Sequence, residues 1–268
     1  MPAEVLRVLF IGDVFGHPGR DILLRNLPAY RQAHQIDFCI ADAENAAHGN
    51  GITPPIADAL LKSGVDLVTA GDHVWDRMEL EEYLYTCPRI IRPLNFPEDS
   101  PGRGVAVVET ADYTKVCVIG LVGRVFMKPA DNPFVAVEKA LERHGTAYPV
   151  TIVEIHAEAT SEKIAMARFL DGKVSAVIGT HTHIPTADER ILPGGTAYIT
   201  DVGMTGPCDS IIGLESRDVI RNYRFHTKRK FVPATGDLRM QGVIVEIGTR
   251  DGKARRITRV DESYDRPV

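Results

Sequence analysis

The chain has 268 residues, enough for one large α/β domain or two small ones, and its 44% apolar content supports a real core. A net charge of −5 provides no basic field for tracking a nucleic-acid backbone, so stable nucleic-acid binding is not expected. No run is long enough to span a membrane, no signal peptide is recognisable, and Cys39, Cys87, Cys117 and Cys208 form no C-x-x-C pair, which together predict a cytoplasmic protein with reduced thiols.

Residues 6–11 read as a buried strand, and 18–32 as a helix with Pro18 near its start. A second strand covers 38–41. Thr53 is expected to cap a helix running to Leu61, with Pro54 in the first helical position. Residues 66–69 form a third strand and 77–85 a short helix. The middle holds strands at 105–109 and 115–121, a helix at 133–143 and a strand at 150–155. A helix over 161–170 is expected to be capped by Ser161. Strands follow at 174–178 and 197–200. Lys228-Arg229-Lys230, the longest basic cluster, reads as a solvated loop. Residues 240–260 read as two strands around Asp251-Gly252. No repeat or linker divides the chain, so a single domain over 1–268 is expected. The alternation predicts an α/β fold, a sandwich of two mixed sheets flanked by helices; one doubly wound sheet fits the pattern as well.

In open α/β sheets ligands bind beyond the carboxyl ends of the strands. Five strand ends here deliver chemistry: Asp13, then Glu44-Asn45, Asp72-His73, His156-Ala157-Glu158 and Thr180-His181-Thr182-His183. Each has an ordinary reading on its own: Asp13 as a turn former, Glu44-Asn45 as a helix cap, His156 as a hydrogen-bonded histidine, His181 and His183 as loop polarity. Their convergence favours a site. Carboxylates, amide and imidazoles suit iron, manganese or zinc rather than magnesium. They are too many for one ion, and two ions bridged by a carboxylate would absorb them.

Several segments carry a closer likeness: FIGDVFGHPGRD, ENAAHGNGIT, GDHVWD, RPLNFPEDSPGRG, IHAEATSEK and GTHTHIPTADERILPGGTAYITDVGMTGP. Over residues 6 to about 213 the chain resembles the calcineurin-like metallophosphoesterases, and among them the bacterial YmdB-like branch. The resemblance implies a two-sheet sandwich in four layers and hydrolysis of cyclic nucleotides or related phosphodiesters. It assigns Asp13, Asn45 and His183 to one ion, Asp72, His156 and His181 to the other, Glu44 to the bridge and His73 to an unligated catalytic imidazole. The cofactors implied are two divalent transition-metal ions, iron or manganese with zinc as an alternative. Two departures stand out. The D-x-H histidine of the wider superfamily is missing after Asp13, as in the YmdB-like branch, where Asn45 fills the vacancy. Asp72 stands where the family usually has Asn, which adds a carboxylate.

His48 and Thr180 are weaker candidates for positioning substrate or water, while Glu158 and Asp201 could orient imidazoles. Trp75 and Phe126 could stack on a base, although packing is the plainer reading for an aromatic beside a loop. His17, His34, His144 and His226 read as surface residues. The expected partner is a small phosphodiester or nucleotide, with 2′,3′- or 3′,5′-cyclic nucleotides ahead of polymers and no membrane partner; a homo-oligomer is compatible. The expected reaction is direct in-line attack on phosphorus by a hydroxide bridging the metals, with His73 assisting the leaving oxygen. The rivals are a slow-turnover regulatory metal- or nucleotide-binding protein, a phosphomonoesterase and an amidohydrolase, the last disfavoured because its H-x-H comes early in the chain.

Overall fold

The computed structural model describes residues 4–144, 147–227 and 230–264. Most of the basic Lys228-Arg229-Lys230 cluster lies outside them. The chain opens with β1 (Val5–Ile11) and β2 (Asp13–Val14), followed by α1 (Gly16–His34), β3 (Phe38–Asp42), α2 (Pro54–Lys62), β4 (Leu67–Thr69), α3 (Glu79–Thr86) and β5 (Ile90–Ile91). The hairpin β6 (Val105–Glu109) and β7 (Lys115–Val122) leads to α4 (Pro133–His144), β8 (Val150–His156) and α5 (Thr160–Leu170). Next come β9 (Ala176–Thr180), β10 (Arg190–Ile191), β11 (Ala197–Ile199) and β12 (Met204–Pro207). The last elements are α6 (Ser216–Phe225), β13 (Leu238–Gly248) and β14 (Ala254–Ser263).

These strands make two sheets, not one doubly wound sheet. The first runs β2-β12-β13-β1-β3-β4-β5, with β14 also paired to β13. Its β1, β3, β4 and β5 are parallel, and the long C-terminal hairpin closes the other side antiparallel to β1. The second runs β10-β11-β9-β8-β7-β6, parallel in its centre and antiparallel at both edges.

Side chains alternate across a strand, and that period sorts the core into layers. From β1, Leu6, Val8 and Phe10 face Val116 and Val118 of β7 in the core between the sheets. Leu9 and Ile11 turn the other way, into a cluster with Ile22, Leu23 and Leu27 of α1 and Ala57 and Leu60 of α2. On the far side, Cys117, Ile119 and Leu121 meet Val137 of α4 and Met166 and Leu170 of α5. The result is a four-layer α/β/β/α sandwich.

Two capping expectations change. Thr53 occupies the cap of α2 but makes no side-chain cap bond; Pro54 presets the first helical φ, and Pro55 at the second helical position has no N–H to offer the cap. The cap of α5 is Ala159, so Ser161 lies inside the helix. The sequence reading omits β2, β5, β10 and β12, which have two to four residues and carry too little pattern, and α6, which buries only Val219.

Candidate metal centre

The carboxyl ends of β1, β3 and β4 in one sheet and of β8 and β9 in the other meet at one place. Asp13 follows β1 after Gly12; Glu44 and Asn45 follow β3; Asp72 and His73 follow β4. His156 is the last residue of β8, and His181 and His183 follow β9. Close backbone approaches hold these turns together. A Cβ on Gly71, whose φ is +36°, would lie 2.0 Å from Glu44 Oε2, so only glycine lets Glu44 reach its place. Likewise a Cβ on Gly12 would lie 2.1 Å from the Gly203 carbonyl oxygen, which pins the loop carrying Asp13 against the one carrying Asp201.

Ligand atoms of Glu44, Asp72, His156 and His181 fall within 4.8 Å of one another, as do those of Asp13, Asp42 and His156. His156 Nε2 lies 3.2 Å from Glu44 Oε2 and 3.3 Å from Asp72 Oδ1, and His181 Nδ1 lies 3.0 Å from that same nitrogen. On the other side, His183 Nε2 is 3.6 Å from Asp13 Oδ1 and 3.5 Å from Asn45 Nδ2. Asn45 Nδ2 also donates to Glu44 Oε1 at 2.7 Å, so Glu44 touches both groups. The amide nitrogen of Asn45 faces this group; ligation through its oxygen takes the opposite, isosteric amide orientation.

Burial sets the electrostatics. Asp13, Glu44, Asn45, Asp72, His156 and His183 are all buried, with His181 partly so. Burial, then the Asp42 charge, pushes the Asp13 carboxyl well above the usual range. Burial acts the same way on Glu44, but the attraction of His156 outweighs it and lowers that group to about 2. Burial pulls His156 down, whereas Glu44, Asp42 and Asp72 together push it well up. Burial and then the neighbouring His156 hold His181 at about 4, and burial lowers His183, so both stay neutral and available as ligands. In this cluster, a proton shared around His156 takes a place that anionic neighbours reserve for positive charge.

The decisive detail is what remains unpaired. Asp13 Oδ1 and Asp72 Oδ1 are buried and make no hydrogen bond; only imidazole nitrogens approach them, His183 Nε2 at 3.6 Å and His156 Nε2 at 3.3 Å. Leaving a buried charged acceptor unsatisfied costs more than ~1–3 kcal/mol. One such oxygen belongs to each ligand group, and a cation at each would satisfy it. The residues present therefore fit metal ions.

The imidazoles are aimed from behind. His156 Nδ1 is held by Asp42 Oδ2 at 3.1 Å and Thr180 Oγ1 at 2.9 Å, turning Nε2 to the site. His183 Nδ1 donates to the Ile212 carbonyl at 3.0 Å. His181 Nε2 faces Glu158 at 3.3 Å, as expected for an orienting carboxylate. His181 and His183 adopt φ of +96° and +62°, a conformation that costs a side-chain-bearing residue energy and that the surroundings must impose.

Two second-tier expectations need correction, those for Thr180 and Asp201. Thr180 is fully buried behind His156 and donates to Glu154, so it faces no substrate. Asp201 touches no imidazole; its Oδ2 accepts from Thr182 N, Thr182 Oγ1 and the buried Lys163, and so fixes the loop between the two histidines. His48 is exposed on a loop with φ +60°, with no hydrogen bond or ion pair to the ligands among the described residues. Asp42, Glu154, Lys163 and Asp76 are functional neighbours the sequence reading missed. Asp42 carried a signal: it is the last residue of an otherwise apolar buried strand, two positions before Glu44. Asp76 Oδ2 sits 2.7 Å from His73 Nδ1, and the His73 N–H donates to Glu44 Oε2 at 3.0 Å.

Comparison with known proteins gives one consistent answer. A 2′,3′-cyclic-nucleotide 2′-phosphodiesterase of Bacillus subtilis is 43% identical over 255 residues, which cover 95% of this chain and 96% of that protein. A crystal structure from Mycoplasma pneumoniae, described as a novel phosphatase, superposes with TM-score 0.92 at 32% identity, covering all of this chain and 96% of the other. A Thermus thermophilus structure described as a hypothetical protein gives TM-score 0.89 at 40% identity, covering 97% of this chain and all of that one. The YmdB-like protein family matches residues 9–260, and with these relatives covering nearly its full length the chain belongs to that family.

Proposed function

We propose that this protein is a phosphoesterase that holds two divalent transition-metal ions and hydrolyses small phosphodiesters, 2′,3′-cyclic nucleotides first among them and 3′,5′-cyclic nucleotides second. The observation that carries the metal reading is the pair of buried carboxylate oxygens without a hydrogen bond, Asp13 Oδ1 and Asp72 Oδ1, each faced by imidazole nitrogens. The name of the Bacillus subtilis relative supports the substrate class.

In this reading Asp13, Asn45 and His183 hold one ion, Asp72, His156 and His181 hold the other, and Glu44 spans them. The mix of carboxylate, amide and imidazole suits iron or manganese, with zinc as an alternative. Such ions supply Lewis acidity toward the phosphoryl oxygens and acidify water to near neutrality. The chain's own residues do the rest. Asp42 and Thr180 lock His156, Glu158 faces His181, and Asp201 fixes the Thr182 backbone between the histidines. Asp76 occupies His73 Nδ1, which turns Nε2 toward substrate, where it hydrogen-bonds the phosphoryl group or protonates the leaving oxygen. Free cysteines among the described residues fit a reducing, cytoplasmic setting. A phosphomonoesterase is the second reading, favoured by the phosphatase description of the Mycoplasma pneumoniae structure.

The test is kcat/KM across 2′,3′- and 3′,5′-cyclic nucleotides, mononucleotides and single-stranded RNA, with manganese added. Cyclic nucleotides should lead, with loose base selectivity because recognition centres on phosphate. Mononucleotides or RNA leading every cyclic nucleotide by about tenfold, a difference of ~1.4 kcal/mol, would reject the substrate class and leave the metal centre standing.

A further inference from the structure

The loop after β7 is pinned on both sides of one residue. Gly123 N donates to the carbonyl oxygen of His156 at 2.9 Å. The backbone N–H groups of Arg124 and Val125 both donate to the Glu162 carboxylate. Beyond the tip, Met127 packs against the core cluster, and Lys128 Nζ reaches Asp72, 3.3 Å from its carbonyl oxygen and 3.5 Å from Oδ2. The loop is thus tied to two of the proposed ligands, His156 at its start and Asp72 at its end.

Between these anchors stands Phe126. It is 88% exposed, with φ +62°. A large aromatic in the left-handed region is uncommon, and a conformation of this kind persists only where its surroundings impose it. It returns no burial for that strain. Chain reach keeps its backbone within roughly 7 Å of the Lys128 backbone, whose side chain extends to Asp72, and within roughly 11 Å of Gly123, which is bonded to the His156 carbonyl. Trp75, two residues after His73, lies tilted against Phe96 with centroids 6.4 Å apart, so part of its surface is taken. Lys128 is itself more than half exposed and keeps donors for an incoming anion.

We infer that Phe126 is a platform on which a substrate nucleobase stacks while Lys128 contacts its phosphate, which makes the 124–128 loop the base-binding element of the site. The inference rests on the phosphodiesterase reading and adds the part of the substrate that a metal centre cannot recognise. Every base presents a π-face, so the platform favours a base over none without strong preference among bases.

The test compares adenosine 2′,3′-cyclic phosphate with glycerol 1,2-cyclic phosphate, which has the ester ring and no base. In Phe126→Ala the ratio of kcat/KM, nucleotide over base-free, should fall about tenfold, chiefly through KM. Phe126→Trp should restore it. Phe126→Gly should also lower the ratio while raising Tm, because glycine relieves the left-handed strain. Lys128→Ala should reduce kcat/KM on both substrates alike. An unchanged ratio in Phe126→Ala, as a structural or protein-contact role would give, overturns the platform, and an undiminished Lys128→Ala overturns the phosphate contact. If the wild type cleaves neither diester, the phosphodiesterase reading fails separately. Calorimetry on the metal-loaded protein then decides: 2′-AMP weakened relative to inorganic phosphate in Phe126→Ala supports the platform, and equal effects reject it.

Discussion

Asp72 supplies a charge where an amide is usual in the proteins this sequence resembles, and its surroundings absorb it. Burial would raise its carboxyl, but His156, His73 and His181 hold it well below the ordinary range. Lys128 stands 3.5 Å from its other oxygen. Asp72→Asn keeps the shape and removes one negative charge, so metal should still bind but with altered preference and somewhat weaker retention. Metal analysis of the purified variant checks this; loss of all bound metal would show that the charge itself is indispensable. His73 has the opposite profile. It borrows Glu44 only through its backbone N–H and presents its ring to Asp76, so its side chain holds no ligand in place. His73→Ala should retain metal while kcat falls about 10²–10⁴-fold, the usual worth of general acid assistance. The loss should be largest on substrates with poor leaving groups, and an unchanged kcat on such a substrate would remove His73 from the mechanism.

At the scale of elements, the H-x-H loop after β9 is held by a strut. Lys163 of α5 is fully buried and donates to Asp201 Oδ2 at 2.7 Å, and the same oxygen takes Thr182 N–H and its hydroxyl. Three elements, α5, β9 and the turn after β11, are joined at one carboxylate. Removing one partner of a buried pair leaves an uncompensated charge, so Lys163→Met should cost about 3–5 kcal/mol by denaturant unfolding and loosen metal retention. A cost under about 1 kcal/mol would show that water or another donor reaches Asp201. This strut also shows where sequence reading stops. Asp13, Glu44, Asp72, His156, His181 and His183 were legible because each ends or follows a strand of clear period, and strand ends converge in α/β folds. Lys163 was not, since its helical position looks like any amphipathic helix lysine until the fold buries it. Asp42 was missed because the apolar run of β3 ends one residue sooner, at Ala41. Helix α6 escaped for a different reason: it is short and polar on average, and of its narrow apolar side only Val219 is buried.

Across the whole molecule, the two sheets meet to bury an unusual concentration of acid. Asp13, Asp42, Glu44, Asp72 and Glu154 are all at most 8% exposed, and the positive charge close to them comes from imidazoles and, at Asp72, from Lys128. Without metal, protons must substitute: Asp13 and Glu154 are pushed well up, first by burial and then by Asp42, and His156 is pushed well up by its carboxylate neighbours. Binding a cation displaces protons from ligands that must be deprotonated, so loading should release protons, and affinity should rise with pH and fall as pH drops. Because the unfolded chain has no such site, the bound ions also stabilise the fold. Metal at a hundred times its Kd adds about 2.7 kcal/mol, and for a protein of this size each kcal/mol shifts Tm by about 2–4 °C. Purified without chelator, the protein should carry about two transition-metal ions per chain. Stripping both with chelator, at about 2.7 kcal/mol each, should lower Tm by about 10–20 °C, and adding back manganese or iron should restore both Tm and phosphodiester hydrolysis. One ion or fewer per chain with activity intact would reject the two-ion centre. A Tm indifferent to chelation, in protein shown by elemental analysis to have lost its metal, would mean that protons alone balance the buried carboxylates and that the metals serve catalysis without supporting the fold.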